Sequence, residues 1–179
     1  MTEVGTVYGE ALYSLANEEC LAKDILQQLK TLDSCFAQEP DFIRLLGTPN
    51  LPKNDRCQIL DESFRDKVHP YVLNFLKILT EKGYMRQFHN CVEAYCEMYN
   101  QDNGILPVTA VTACSLTDEQ KQKLTEKLHK ITGKQIELVN KLDPSVLGGI
   151  RLDYDGKRVD DTVSHRLDAI RNMLRSTVL

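Results

Sequence analysis

The sequence lacks the features that would place the chain in a membrane or outside the cell. No run of about 18 apolar residues occurs among its 179 residues, so no transmembrane helix is predicted. The start, Met1 to Val4, does not show the basic and then apolar pattern of a secretory signal. The six cysteines are dispersed along the chain rather than clustered as in a small secreted disulfide framework. We therefore expect a cytoplasmic protein with reduced thiols and no direct membrane insertion.

Signatures of nucleotide chemistry and hydrolysis are also missing. Gly133-Lys134 and Gly148-Gly149 do not have the glycine spacing of a P-loop or a dinucleotide-binding turn. No serine stands in the turn sequence of a hydrolase nucleophile with a matching histidine and aspartate. The sequence consequently predicts no catalytic residue and no bound cofactor.

Two possible metal sites are disfavoured by their spacing. His89 and Cys96 lie seven residues apart on one helical face, but Cys91 points elsewhere and no Cys-x-x-Cys pair exists, so zinc is not expected. The acidic stretch around Asp155-Gly156 resembles a calcium loop only loosely, because glycine directly follows the aspartate instead of standing at the sixth loop position. Asp155-Gly156 is better explained as a hairpin turn.

Charge is uneven along the chain and argues against nucleic acid as a partner. Residues 1–102 carry 10 basic and 16 acidic side chains, whereas residues 103–179 carry 12 and 10. A nucleic-acid-binding surface needs clustered lysine and arginine to neutralise phosphates. The acidic first part makes DNA or RNA an unfavoured partner.

Hydrophobic periodicity predicts an α+β protein with two domains. Apolar side chains recur at i, i+3, i+4 and i+7 through most of residues 1–102, which indicates a helical bundle. Alternating apolar residues and turn signals predict a small α/β domain over residues 103–179. The predicted strands cover 105–114, 135–141 and 147–154, and the predicted helices cover 117–131 and 162–175.

The helix that follows His69-Pro70 is apolar around much of its circumference. Residues 71–79 place large apolar side chains over an arc of roughly 220°, whereas burial of one face needs somewhat over 100°. The first helix is similarly broad, because Tyr13 and Ala16 widen its stripe. Either both helices lie centrally in the bundle, or part of the excess forms a groove for the amphipathic helix of another protein.

One segment of the sequence resembles a known family. Residues 147–162 read LGGIRLDYDGKRVDDT and are followed by Val163, Arg166 and Leu167, which is similar to the C-terminal signature of the ATP synthase delta family, related to the mitochondrial oligomycin sensitivity conferral protein. The starting segment from Tyr8 to Leu12 and the helix end at Lys82-Gly83-Tyr84 also resemble that family. Gly9 stands where the family more often has alanine, and we expect this glycine to loosen the first helix slightly.

The resemblance implies a non-catalytic stator subunit of an F-type ATP synthase at the cytoplasmic face of a bacterial cell membrane. It implies a six-helix N-terminal domain whose groove, between the first and fifth helices, binds the N-terminal helix of the alpha subunit. The groove residues carried over to this sequence are Tyr8, Ala11, Leu12 and Leu15 on one wall and Phe75, Ile78 and Leu79 on the other.

The resemblance further implies that residues 103–179 contact the b subunits of the peripheral stalk. Gly148 and Gly149 are expected to allow close backbone approach, while Arg151, Lys157 and Arg158 either contact the stalk or keep the sheet soluble. Two other classes stay open from the residues alone: an adaptor that binds RNA or an unrelated regulatory helix, and a small-molecule enzyme.

Overall fold

The structure, a computed structural model, describes residues 2–47, 51–65 and 67–167 and has the predicted α+β class. It divides after Tyr99 into two compact units, within the last turns of a helix that ends at Asp102. We call these the helical unit and the α/β unit. The helices that precede the sheet are α1 (Glu3–Glu18), α2 (Ala22–Gln38), α3 (Pro40–Leu46), α4 (Lys53–Phe64), α5 (Pro70–Lys82) and α6 (Phe88–Asp102).

Helix α5 has the bounds that its flanking residues predict. Pro70 occupies the first turn, where its missing N–H costs nothing, and the Tyr71 backbone N–H donates to His69 Nδ1 at 3.3 Å. Gly83 ends the helix with φ +76°, a left-handed conformation that glycine adopts without strain. Local sequence thus fixes both ends of α5.

All six helices contribute to the core of the helical unit. Phe36 and Phe88 pack edge to face with ring centroids 5.0 Å apart, and Tyr95 and Leu76 are fully buried nearby in the same cluster. Arg56 of α4 is also buried, and its Nη1 donates to the carbonyl oxygens of Leu46 at 3.0 Å and Thr80 at 3.4 Å. This guanidinium therefore joins the ends of α3 and α5 through their backbones.

The α/β unit contains a four-stranded sheet with the order β2-β1-β3-β4. Its elements are β1 (Ile105–Thr112), α7 (Asp118–Thr132), β2 (Gln135–Leu142), β3 (Ile150–Tyr154) and β4 (Lys157–Asp160). Strands β1 and β2 are parallel and connected by α7, whereas β3 pairs antiparallel with both β1 and β4. Leu124 and Leu128 of α7 cover one face of the sheet and pack on Leu106 and Val108.

The turn and cap predictions in this unit are confirmed, but one strand begins later than predicted. Thr117 and Gln120 form the predicted capping box of α7. Asp155 and Gly156, with φ +48° and +67°, make the predicted hairpin turn. The strand predicted from Leu147 begins only at Ile150, because Leu147 and Gly149 have φ of +62° and +81° and cannot continue a strand.

The predicted closing helix is described only at its start. The His165 backbone N–H donates to Thr162 Oγ1 at 3.2 Å, and residues 163–167 are helical. Residues 168–175 of the prediction lie outside the described residues. Among the described residues, no helix is both long and apolar enough to cross a membrane.

Candidate partner-binding groove

Helices α1 and α5 enclose an open cleft of about 240 Å³ on the surface of the helical unit. Each helix contributes side chains spaced three or four residues apart, so one face of each helix lines the cleft. The lining residues are Tyr8, Ala11, Leu12 and Leu15 from α1 and Tyr71, Asn74, Phe75 and Ile78 from α5. We call this feature the α1–α5 groove.

The groove has a buried floor and exposed walls. Leu12 and Phe75 form the floor and are each only 6% exposed. Leu15 and Ile78 are 40% and 37% exposed, which is a large fraction for aliphatic side chains that stand close together. Water is therefore in contact with apolar surface on both walls, and covering that surface would be favourable.

The structure brings together six of the seven residues expected to form the groove and excludes one. Leu79 does not line it, because this side chain is fully buried in the core. Tyr71 and Asn74, which were not among the expected groove residues, line it instead. Sequence spacing could have identified these two residues, because Tyr71, Asn74, Phe75 and Ile78 follow the i, i+3, i+4, i+7 pattern of one helix face. Leu79 lies one residue further around the helix.

Apolar surface continues beyond the groove. Val7 on α1 is 58% exposed, and Tyr84, which follows α5, is 38% exposed. The rings of Tyr8 and Tyr84 lie 6.0 Å apart between centroids, so Tyr84 extends the α1 wall. The apolar patch is consequently longer than the cleft itself.

The two helices that line the groove carry different charges. Helix α1 carries exposed Glu3, Glu10 and Glu18 and no lysine or arginine. On α5, Lys77 Nζ lies 2.7 Å from Asp61 Oδ1 of α4, which ties the α5 wall to its neighbour. Helix α1 therefore carries only negative charge, and Glu10 lies on the face of the helix away from Tyr8 and Leu15.

The basic residues proposed to contact the stalk do not form one cluster. Arg158 donates from Nε to Asp153 Oδ1 at 2.6 Å, and this ion pair holds the pKa of Asp153 below its ordinary value. Arg151 lies on the same face of the sheet, with Nε 3.4 Å from Asp153 Oδ2. Successive residues of a strand point to opposite faces of the sheet, so Lys157 points to the face opposite that of Arg158. Both residues nevertheless line an open cleft at the hairpin.

The residues considered for zinc are engaged separately. His89 Nδ1 lies 2.9 Å from Asp33 Oδ2 of α2, and this hydrogen bond raises the pKa of His89. Cys91 is buried, and desolvation raises the pKa of its thiol to about 11. A thiol with this pKa is protonated at neutral pH and packs as a small apolar group.

Fold and groove together define a class: a two-unit α+β protein whose helical unit exposes an apolar groove between its first and fifth helices. Comparison with known proteins gives the family. A family model described as ATP synthase delta (OSCP) subunit matches residues 4–174, and the chain belongs to this family. The family is a structural subunit of F-type ATP synthase rather than a catalytic one.

Individual relatives agree with the family assignment. The chain is 30% identical over 168 residues to an ATP synthase subunit delta from Prochlorococcus marinus (strain MIT 9301), and the match covers 93% of both chains. It is 31% identical over 167 residues to an ATP synthase subunit delta from Alkaliphilus oremlandii, with 93% of both chains covered. Among solved structures, a chain in the cryo-EM structure of the Toxoplasma gondii mitochondrial ATP synthase hexamer has a similar fold, with a TM-score of 0.76, 19% identity and coverage of 97% of this chain and 98% of that chain.

Proposed function

We propose that this protein is the stator subunit that ties the catalytic head of an F-type ATP synthase to its peripheral stalk. The helical unit binds the N-terminal helix of an alpha subunit in the α1–α5 groove. The α/β unit contacts the C-terminal ends of the b subunits. The function is mechanical: the head has to be held against the rotor's torque for rotation to drive ATP synthesis or for ATP hydrolysis to pump protons.

The α1–α5 groove is the observation that carries this proposal. Its exposed leucine and isoleucine stand over a floor of Leu12 and Phe75, and its width is set by two parallel rows of side chains. A groove of this kind accepts an amphipathic helix whose apolar residues recur at i, i+3, i+4 and i+7. Burial of apolar surface contributes roughly 25 cal/mol per Å² before association costs are subtracted.

The partner contact of the α/β unit rests on weaker support. Lys157 and Arg158 line an open cleft at the β3–β4 hairpin, and Arg151 lies beside Asp153 on the neighbouring strand. Arg158 already forms an ion pair within the chain, so its guanidinium has fewer free donors for a partner. We therefore assign the stalk contact to this unit and not to one particular arginine.

The test is a calorimetric titration of the full-length protein with a synthetic peptide that copies the N-terminal segment of the same organism's alpha subunit. We expect saturable one-to-one binding with a negative heat-capacity change, since apolar surface is buried. In a second titration, a peptide that copies the C-terminal segment of the b subunit should bind independently of the alpha peptide.

Absence of binding by a soluble alpha peptide, repeated with the intact catalytic head, would refute the groove assignment. Binding of RNA in the same assay, with no response to the alpha peptide, would instead favour the adaptor class. Equal binding of a scrambled alpha peptide would show that the groove has no specificity for that helix.

A further inference from the structure

Helix α1 approaches α6 through two glycines that lie one turn apart. A methyl group built on Gly9 would stand 2.5 Å from the Cys91 carbonyl oxygen and 2.8 Å from Ala94 Cβ. A methyl group on Gly5 would stand 2.7 Å from Asn90 Cβ. Real Cβ atoms do not come this close to other atoms, so the observed spacing of α1 and α6 requires glycine at these two positions.

Helix α6 cannot retreat to make room. Phe88, Cys91 and Tyr95 on its inner face are at most 1% exposed. Tyr95 also donates its hydroxyl to the Ala22 carbonyl oxygen at 2.9 Å, which joins α6 to the start of α2. A close-packed interior resists such displacement, whereas the side of α1 away from its two glycines carries the exposed Val7 and Ser14, so added volume between the helices moves α1.

Movement of α1 would change the groove. Gly9 immediately follows Tyr8 of the groove wall and lies about 100° around the helix from it. The α5 wall is held independently by the Lys77–Asp61 ion pair and by the buried Leu76 and Leu79. An added Cβ on Gly9 would need at least about 3.0 Å from the Cys91 carbonyl oxygen instead of 2.5 Å. The displacement would shift the groove wall that contains Tyr8 and Leu15, while the wall that contains Ile78 would stay in place.

We propose that Gly9, supported by Gly5, is a positioning residue for the partner helix: by setting the distance between α1 and α6 it sets the width of the α1–α5 groove. The inference rests on the proposed function, because it concerns the same groove. It assigns a role in recognition to a residue that faces α6 and does not line the groove. It also replaces the expectation from sequence that Gly9 merely loosens the first helix.

The test compares Gly9→Ala with the wild-type protein by calorimetric titration of the alpha-subunit peptide, well below the unfolding temperature of both. We expect binding about tenfold weaker, which corresponds to about 1.4 kcal/mol, with unchanged stoichiometry and unchanged helix content by circular dichroism. Alanine is the better helix former, so a loss cannot come from lower helix propensity.

Leu46→Ala is the matched control. Leu46 is fully buried in the same core but belongs to α3 and does not line the groove. This variant should lower the unfolding temperature through a cavity and leave the peptide affinity within a factor of two. A purely structural role for Gly9 predicts that both variants behave alike.

The outcomes separate this inference from the function on which it rests. If the wild-type protein does not bind the peptide, the proposed function fails. If the wild type binds and Gly9→Ala binds equally well, the positioning role is overturned and the groove stands. Should Gly9→Ala not fold, Gly5→Ala decides the question, since its nearest contact is Asn90 Cβ at 2.7 Å and its nearest backbone contact is 3.1 Å, against a backbone oxygen at 2.5 Å for Gly9; weaker binding supports the role and unchanged affinity overturns it.

Discussion

The two units are stabilised in different ways. Among the described residues of the helical unit, nineteen buried residues from the six helices and Met85, which precedes α6, form one core cluster, and twelve further apolar residues pack against it. Within residues 100–167, the corresponding cluster of the α/β unit contains three buried residues, Leu106, Val108 and Leu128, with five half-buried ones around them. In this described part of the α/β unit, backbone geometry, strand pairing and ion pairs therefore contribute more than they do in the helical unit.

This difference bears on function. Because the helical unit has a large core beneath its surface, exposed apolar residues such as Leu15 and Ile78 are not needed to hold the fold and are available for a partner. The described part of the α/β unit has a smaller apolar cluster, and its tight turns carry more of the structure. Substitutions on the exposed walls of the groove should accordingly affect binding, and substitutions at the tight turns of the α/β unit should affect stability.

The largest effect is expected at Gly149 in the α/β unit. Its φ is +81°, and an added Cβ would stand 2.5 Å from the Asp161 carbonyl oxygen. Left-handed strain and the clash together predict that Gly149→Ala lowers the free energy of unfolding of this unit by about 3 kcal/mol. Hydrogen exchange of the β1–β3 amides in the full-length protein would measure this loss of stability.

The adjacent Gly148 provides the control for this prediction. A Cβ on Gly148 would meet Val163 Cγ2 at 3.4 Å, an ordinary contact, and Gly148 does not have a positive φ. Gly148→Ala should therefore change stability little. Equal destabilisation by both substitutions would mean that the glycine pair tolerates no side chain at all and that the particular conformation of Gly149 is not the cause.

The next effect is expected at Ile78 in the helical unit and concerns binding. Ile78→Asp places a charge on the exposed wall of the groove and should weaken binding of the alpha-subunit peptide at least about thirtyfold, or about 2 kcal/mol, with circular dichroism unchanged. Calorimetry on the full-length variant measures it. Unchanged affinity in a folded variant would remove Ile78 from the groove.

Ile131→Asp is the matched control, because Ile131 on α7 is 80% exposed and belongs to the other unit. The same substitution at this site introduces the same charge without touching the groove. It should leave the peptide affinity unchanged. A similar loss in both variants would indicate a general electrostatic effect on the peptide.

A smaller effect is expected inside the helical unit at Arg56. Arg56→Met removes the donors to the Leu46 and Thr80 carbonyl oxygens but also removes a buried charge, so we expect a net loss of about 1.5 kcal/mol in unfolding free energy. Urea denaturation followed by circular dichroism measures it. Thr80→Val is the control: its Oγ1 is buried without a hydrogen-bond partner among the described residues, and the substitution should be neutral or stabilising.

Much of this architecture follows from local sequence, and what does not follow depends on tertiary contacts. Residues only a few positions away in the sequence set the ends of α5, the capping box of α7 and the Asp155-Gly156 turn. Leu79 illustrates the limit, because apolar periodicity cannot distinguish a side chain that faces the core from a neighbour that faces a groove. The role of Gly9 is also invisible in sequence, since it depends on where α6 passes.

The smallest effect concerns pH and should have opposite signs in the two units. In the helical unit, Asp33 raises the pKa of His89 above its ordinary 6.5, with Glu93 Oε1 3.4 Å from the other ring nitrogen. A raised pKa stabilises the fold fully below pH 6.5, and this contribution is lost as the pH rises through the folded-state pKa. In the α/β unit, Arg158 lowers the pKa of Asp153, so its contribution is present above the ordinary 3.8 and is lost as the pH falls through the lowered value.

His89 is exposed and Asp153 is only half-buried, so each change should be small and weaker at high salt. Hydrogen exchange of the full-length protein, followed separately for α2 and α6 peptides and for β3 and β4 peptides, would resolve the two directions. His89→Gln should remove the loss of protection above pH 6.5 in the helical unit without altering the acid response of the sheet, and Asp153→Asn should do the reverse. If both units lost protection together at each pH extreme, the stabilities of the two units would be coupled. The contrast between a unit with exposed apolar surface over a large core and a unit held by its turns and ion pairs would then have to be abandoned.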